Sequence, residues 1–285
     1  MSILIGTHFY KAHGDSERRQ VQAMDALRDL RDVDVVDLQW EPTPQWRPWI
    51  RTVEDLHLDS RTVSGCPGRR KPIAADMMRA LAGQAQRGGH RYFMLINADI
   101  VVTEAAVSLV AQTGNDVYAF SRVDVEPQTG RELEPTLSGL DAFAFDVKWW
   151  RANQSRFRPY IMGEGCWDNV YAAIAMCHGD GLIASSGEIR HERHPTEWGQ
   201  SPFADYNGYL AAVDNRYFTL WCKYYAELIE LRARGASPHE ERALAKQVFT
   251  WQPSATAALK QVGRSVRARL VYERKRKRAQ AGSPS

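Results

Sequence analysis

The sequence has no long apolar run: nothing among its 285 residues approaches the roughly 18 to 20 consecutive apolar residues that a membrane span requires. Cysteine is scarce as well. Cys66, Cys166, Cys177 and Cys222 stand far apart with no C-x-x-C pair, which argues against a thiolate zinc site and fits reduced, structural thiols. No internal repeat and no low-complexity segment interrupts the chain before its end. Met1 to Gly6 is apolar, but it is too short for a signal peptide and no basic segment precedes it. The expectation is therefore a cytoplasmic protein, with the inner face of the membrane as the place for any peripheral contact. Composition is that of an ordinary globular protein, 44% hydrophobic and 25% charged, and the length suits one large domain or one domain with an extension.

Charge is unevenly spread. Arg264 to Arg278 holds eight Lys/Arg and one Glu, so this tail carries +7 of a net +3 and the remainder sums to −4. A mildly acidic body with a basic tail points to an anionic partner surface. Val266, Leu270 and Val271 lie among the arginines, which fits a tail lying on phospholipid. Nucleic acid is disfavoured, because the body is acidic and shows no recognition motif. A solvated, disordered end is the bland alternative.

Strands and helices alternate to about residue 195. Ser2–Gly6 and Val33–Asp37 are short apolar strands separated by a helix that starts at Asp15 or Ser16 and runs to about Leu30. That pattern predicts parallel pairing through a right-handed crossover. The Trp- and Pro-rich stretch from Gln39 to Pro67 reads as a long connection with one short helix near Val53–Leu58. A helix from about Ile73 to Gln86 follows, then the run Tyr92 to Val102. Beyond it come a helix Glu104–Gln112 with Thr103 as N-cap, a strand Val117–Phe120, and an exposed loop or hairpin from Asp124 to Pro135. A strand through Ser138–Phe145, a helix Val170–Cys177 and a short strand at Leu182–Ala184 complete this part. From Tyr206 the pattern is helical: about 206–234, 238–249 and 255–278. The expected fold class is α/β, a mainly parallel sheet flanked by helices, with residues 1–200 forming one domain and 201–285 a helical extension.

The run Tyr92–Val102 concentrates the chemistry. It reads as a strand buried on both faces, broken only by Asn97 and Asp99. A carboxylate there needs a metal ion, a basic partner or a place just past the strand's end, and ligands gather at that edge of a parallel sheet. If the chain stays extended, Asn97 and Asp99 share a face. Two more clusters follow. Glu164 and Asp168 precede a helix, and His191 and His194 accompany Glu188 and Glu192. Singly each has a bland reading: helix-capping acids for the former, solvated loop histidines for the latter. Together, one Asp and one later His would suit Mn²⁺, which accepts carboxylate oxygen and imidazole nitrogen. Arg70 and Lys71 are candidates for nucleotide or phosphate contact, or else a solvated helix start.

The order of these clusters resembles that of GT-A glycosyltransferases, whose nucleotide-binding half ends in a D-x-D-type motif at a strand terminus. Leu95-Ile96-Asn97-Ala98-Asp99 occupies that place, with Asn for the first Asp. The second half is similar to the β-1,4-galactosyltransferase and polypeptide N-acetylgalactosaminyltransferase group. Ser138-Gly139-Leu140-Asp141-Ala142-Phe143 matches its glycine-led strand, Gly163-Glu164-Gly165-Cys166-Trp167-Asp168 loosely matches its Gly-Gly-Glu-Asp motif, and Ile189-Arg190-His191 matches its metal-binding segment. Bacterial family 2 enzymes share this general plan. The resemblance spans roughly residues 2 to 195, with a nucleotide half to 102 and an acceptor half to 200.

It implies a hexosyltransferase-like enzyme that moves a sugar from a nucleotide-sugar donor, expected to be UDP-linked, to a glycan or lipid-linked acceptor, as in polysaccharide biosynthesis. It further implies inversion by single displacement and a Mn²⁺ (or Mg²⁺) cofactor. Asp99 and His191 are then the metal ligands, with His194 as a substitute for His191. Thr7, Asp37, Arg70, Lys71, Asn97, Asp99 and Asp141 belong to the donor. Asp168 is expected as the base with Glu164 holding the acceptor, although the separation of the two acids leaves either able to serve. The alternatives are a sugar nucleotidyltransferase, for which Gly6-Thr7-His8-Phe9-Tyr10-Lys11 is a poor glycine- and lysine-rich loop, and a non-catalytic nucleotide- or carbohydrate-binding module.

Overall fold

A computed structural model describes residues 2–195, 201–250 and 255–281. In chain order the elements are β1 (Ile3–Thr7), α1 (Asp15–Arg28), β2 (Val33–Gln39), β3 (Arg51–Glu54), α2 (Ser60–Ser64), α3 (Ala74–Gly88), β4 (Tyr92–Ile96), β5 (Ile100–Val102), α4 (Glu104–Thr113), β6 (Val117–Val125) and β7 (Glu132–Asp146). There follow α5 (Val147–Asn153), α6 (Trp167–His178), β8 (Gly181–Ala184), β9 (Ile189–Glu192), α7 (Ala204–Val213), α8 (Asn215–Ala233), α9 (Pro238–Phe249) and α10 (Ala255–Ala281). The chain is α/β, as predicted.

Two compact units form, and neither is one continuous stretch. The first comprises Met1–His57, Asp76–Arg156 and His178–Pro195; the second comprises Leu58–Ala75, Phe157–Cys177 and Thr196–Ser285. The nine strands among the described residues all belong to the first unit, in the order β3-β2-β1-β4-β7-β6-β9-β5 with β8 paired to β6. The pairings β1–β2, β1–β4, β2–β3, β6–β8 and β6–β9 are parallel, while β4–β7, β6–β7 and β5–β9 are antiparallel.

The predicted strand–helix–strand opening is present, with Ile3 opposite Val33 and Thr7 opposite Asp37. The core of this unit is continuous along the sheet: Ile3, Ile5, Met94, Ile96, Tyr118, Phe120 and Ala144 are among its buried members. Such two-sided burial is what unbroken apolar strands require. After α4, Gly114 takes the left-handed conformation (φ 74°) that ends the helix.

The structure departs from the expected elements in three places outside the site. Near Val53 there is a strand, β3, on the edge of the sheet rather than a short helix; the helical turn comes later, at Ser60–Ser64. Thr103 does not cap α4 with its side chain; its hydroxyl donates to the Glu188 carbonyl at 2.9 Å instead. The single helix expected over 206–234 is two, α7 and α8, broken at Asp214. That carboxylate is buried and accepts from Arg158 Nε at 2.8 Å and the Tyr160 hydroxyl at 3.1 Å. A tertiary anchor thus overrides a continuous helical pattern.

Candidate metal and donor site

The run Tyr92–Val102 is not one strand. β4 ends at Ile96, the chain turns through Asn97-Ala98-Asp99, and β5 begins at Ile100, with the Ile100 N–H donating to the Asn97 carbonyl at 3.3 Å. β5 leaves for another part of the sheet and pairs with β9, and β9 reaches β4 again through β6 and β7. The strands β4-β7-β6-β9-β5 therefore form a ring that the three-residue turn closes covalently. Because the chain is not extended there, Asn97 and Asp99 do not share one partner. The Asn97 amide donates to Asp141 Oδ1 at 2.6 Å, while Asp99 meets two imidazoles.

Register explains that meeting. Ile100 stands opposite His191 in the β5–β9 ladder, so the residue before Ile100 lies beside the histidine. Asp99 Oδ2 is 3.7 Å from His191 Nε2 and 3.4 Å from His194 Nε2. One donor atom from each of the three residues lies within 4.8 Å of the others. Both rings are fixed by their other nitrogen. His191 Nδ1 is 2.8 Å from Asp124 Oδ1, and His194 Nδ1 is 2.8 Å from the Pro195 carbonyl. Carboxylate and carbonyl oxygens only accept, so each Nδ1 donates outward and Nε2 is the ring nitrogen turned toward Asp99.

Electrostatics tie His191 to Asp99 as a proton-bearing partner, whose Nε2 proton a metal ion would displace. Burial alone would raise the Asp99 carboxyl, but its bonds to His191 and His194 outweigh this and hold it well below the usual carboxylate range. Burial would lower His191, and Asp124 and Asp99 reverse that, lifting it to about 9. One carboxylate oxygen and two imidazole nitrogens suit a borderline divalent ion such as Mn²⁺ better than Mg²⁺, which prefers oxygen and octahedral geometry. The side chains present fit such an ion.

Behind the ligands is a second layer that the sequence did not reveal. Arg122 Nε lies 3.0 Å from Asp124 Oδ1, and its Nη1 donates to Asp141 Oδ2 at 2.7 Å. The chain Asn97–Asp141–Arg122–Asp124–His191 thus links the turn to the imidazole. Of the loop and the hairpin expected over Asp124–Pro135, the hairpin is present, and it places Asp124 on β6; Arg122 and Asp124 face one way because they are two apart on a strand. That spacing was visible in the sequence; where the strand ended was not. Gly139 makes room for the guanidinium, since a Cβ there would lie 3.3 Å from Arg122 Cζ. Glu192 is committed elsewhere, to Arg18, whose Nη1 donates to it at 2.6 Å. Glu188 accepts from the Ser186 N–H at 2.6 Å.

Thr7, the last residue of β1, lies opposite Asp37, which is not the end of its strand as expected but is followed by two more residues of β2; both are buried. Asp37 accepts from the Phe9 N–H at 3.0 Å and from Gln39 Nε2 at 2.9 Å. Burial pushes its carboxyl up to about 6, with Gln39 and Phe9 opposing.

The remaining predicted residues belong to the second unit. Arg70 Nε donates to Asp59 Oδ2 at 2.8 Å. Lys71 Nζ donates to Glu164 Oε1 at 2.7 Å, so neither cation is a merely solvated helix start. Glu164 is 2% exposed, and its Oε2 has no hydrogen-bond partner among the described residues. Asp168 is half-buried in the first turn of α6, where a helix favours negative charge. Between the two acids Cys166 holds a positive φ of 77°, a conformation uncommon for a side-chain-bearing residue. Asn207, from α7, secures this segment: its amide donates to the Ile161 and Gly165 carbonyls at 2.9 and 3.2 Å and accepts from the Ile161 N–H at 3.0 Å. Nothing in the local sequence announced that role.

No family model and no curated protein matches the chain. Among solved structures it is similar to S. aureus TarS 1–349, at 13% identity and TM-score 0.45 over 75% of this chain and 65% of that one. It is also similar to a nucleotide-diphospho-sugar transferase of Desulfovibrio desulfuricans G20, at 15% identity and TM-score 0.31 over 52% and 64% of the two chains. A third is GalNAc-T7 solved with UDP, GalNAc and Mn²⁺, at 11% identity and TM-score 0.43 over 87% and 55%. The chain spans less than two thirds of the length of each. At these identities and TM-scores the likeness does not extend to activity.

Proposed function

We propose that this protein is a glycosyltransferase that takes a sugar from a nucleotide-diphosphate donor, expected to be UDP-linked, and uses Mn²⁺. The observation that carries the reading is the convergence of Asp99, His191 and His194 just past β4, each imidazole presenting Nε2 because Nδ1 is already spent. These three residues would hold the ion, and a bound divalent cation supplies charge neutralisation for the departing diphosphate. Thr7 and Asp37, paired across β1 and β2, would receive the nucleoside. The Asn97–Asp141 pair would border the donor sugar. Arg70 and Lys71 are assigned to phosphate in the same scheme, in exchange for their present carboxylate partners.

In the second unit, Asp168 is the proposed general base and Glu164 the residue that holds the acceptor, a glycan or lipid-linked sugar. Asp168 takes the acceptor hydroxyl proton as the oxygen bonds to the anomeric carbon. The bond from that carbon to the diphosphate oxygen breaks in the same displacement, with inversion. Oε2 of Glu164, buried and without a hydrogen-bond partner among the described residues, is the atom assigned to an acceptor hydroxyl. A cytoplasmic site of action completes the proposal.

The test is thermal. UDP with Mn²⁺ should raise the melting temperature, and a screen of nucleotide sugars with Mn²⁺ should reveal the donor by slow hydrolysis. No shift with any nucleoside diphosphate would sink the assignment. Consumption of a nucleoside triphosphate with release of pyrophosphate would move it to a nucleotidyltransferase.

A further inference from the structure

One side of α10 is seated and the other is bare. On the seated side Tyr272 is buried, its hydroxyl donates to the Ser64 carbonyl at 2.7 Å, and its ring stacks on Tyr209 with centroids 5.1 Å apart. Lys275 pairs with Asp205 at 2.7 Å on the same flank. On the bare side Val262, Val266 and Leu270 recur every four residues, which puts them on successive turns of one stripe. They are 62%, 56% and 53% exposed. Val271 is exposed as well. Of the six exposed large apolar residues among those described, four are on this helix, so the exposure is concentrated rather than scattered.

Cations surround the stripe. Arg264, Arg267, Arg269, Arg274 and Lys277 are all exposed, and by helical spacing Arg267, Arg274 and Lys277 border or continue the line of Val262, Val266 and Leu270. The acid among them, Glu273, is answered by Arg269 at 3.0 Å. Branched aliphatics on a helix face framed by arginine and lysine form the pattern of an interfacial helix: apolar atoms enter the headgroup–acyl boundary while the cations meet phosphate. No helix among the described residues is long and apolar enough to cross a membrane, so such contact would lie on the surface. A nucleic acid would use the cations and leave the valines and the leucine in water, which is why the apolar stripe favours lipid.

We infer that the Val262–Val266–Leu270 face of α10 docks on an anionic phospholipid bilayer. This does not depend on the glycosyltransferase reading. The test is flotation of the full chain with vesicles of phosphatidylcholine and phosphatidylglycerol in equal parts, against phosphatidylcholine alone. The chain should float only with the anionic vesicles, and salt should weaken the association. Replacing both Val266 and Leu270 by Asp should lower vesicle affinity at least about tenfold with an unchanged melting temperature, since both side chains are exposed. A second variant, Arg267→Gln with Arg274→Gln and Lys277→Gln, should lose about fivefold per cation.

Three results would overturn the inference. One is failure to float with anionic vesicles. Another is undiminished flotation of the Asp variant. The third is tight binding of a mixed-sequence duplex that survives both Asp substitutions while vesicles are ignored, which would assign the face to nucleic acid.

Discussion

Asp99 in the first unit is a half-buried carboxylate and Glu164 in the second a buried one, and the chain satisfies them differently. Asp99 faces two imidazoles through their Nε2 atoms, an arrangement an ion can enter by displacing a proton. Glu164 faces one ammonium, Lys71, through Oε1 and leaves Oε2 unanswered. A buried carboxylate with one empty acceptor position suits a hydroxyl donor better than a cation. The positioning differs too. Ladder register and a ring of strands set Asp99 and His191, while Glu164 depends on a strained segment that Asn207 secures. Rigidity is thus invested where a metal would need fixed ligands.

The largest effect should come from Asp99→Ala. Mn²⁺ binding, followed by calorimetric titration, is expected to weaken more than about 100-fold, beyond what loss of an outer-layer partner costs. Retention of Mn²⁺ affinity would erase the contrast between the two carboxylates. Asp124→Asn should come next, at about 10- to 100-fold, because the amide no longer enforces the His191 tautomer although β6 stays intact; an unchanged affinity would show that β9 alone orients the ring.

Lys71→Met tests the other side of the contrast. It leaves Glu164 buried without its cation and should cost about 2 kcal/mol in denaturant unfolding, below the range for fully buried pairs because the Lys71 side chain is 30% exposed. The double variant with Glu164→Gln should recover most of that loss. If Lys71→Met alone is neutral, Glu164 is better hydrated than its burial indicates.

Asp37, buried with neutral donors only, provides a reference for both. Its folded pKa is about 6 against an unfolded value of about 3.9. The folded chain therefore binds more protons between these values, and stability from this group is full at low pH and falls as pH rises from about 4 to about 6. Above that it is flat. The loss should not exceed about 3 kcal/mol, and Asp37→Asn should flatten it in pH-dependent unfolding curves.

Much of the fold was legible because burial has a local signature. The apolar strands at Ile3, Val33 and Tyr92, the helices between them and the stop at Gly114 all follow from patterns a few residues long. The same patterns failed where a distant partner decided the outcome. Val53 became a strand because β2 offered an edge. The helix from Ala204 broke at Asp214 because Arg158 and Tyr160 hold that carboxylate. Asp124 could not be assigned to the site while its strand appeared to end at Phe120.

By itself, then, the sequence determined which stretches would be buried, that a carboxylate would sit at the end of one of them, and that the last helix would be basic. Only the tertiary structure decided what each charge meets. Asn97 and Asp99 share a tripeptide, yet one turn sends the first to Asp141 and the second to His191 and His194. The reason is that burial depends on local side-chain pattern, whereas partner choice depends on ladder register between strands about 90 residues apart. Register is fixed only when the whole sheet closes.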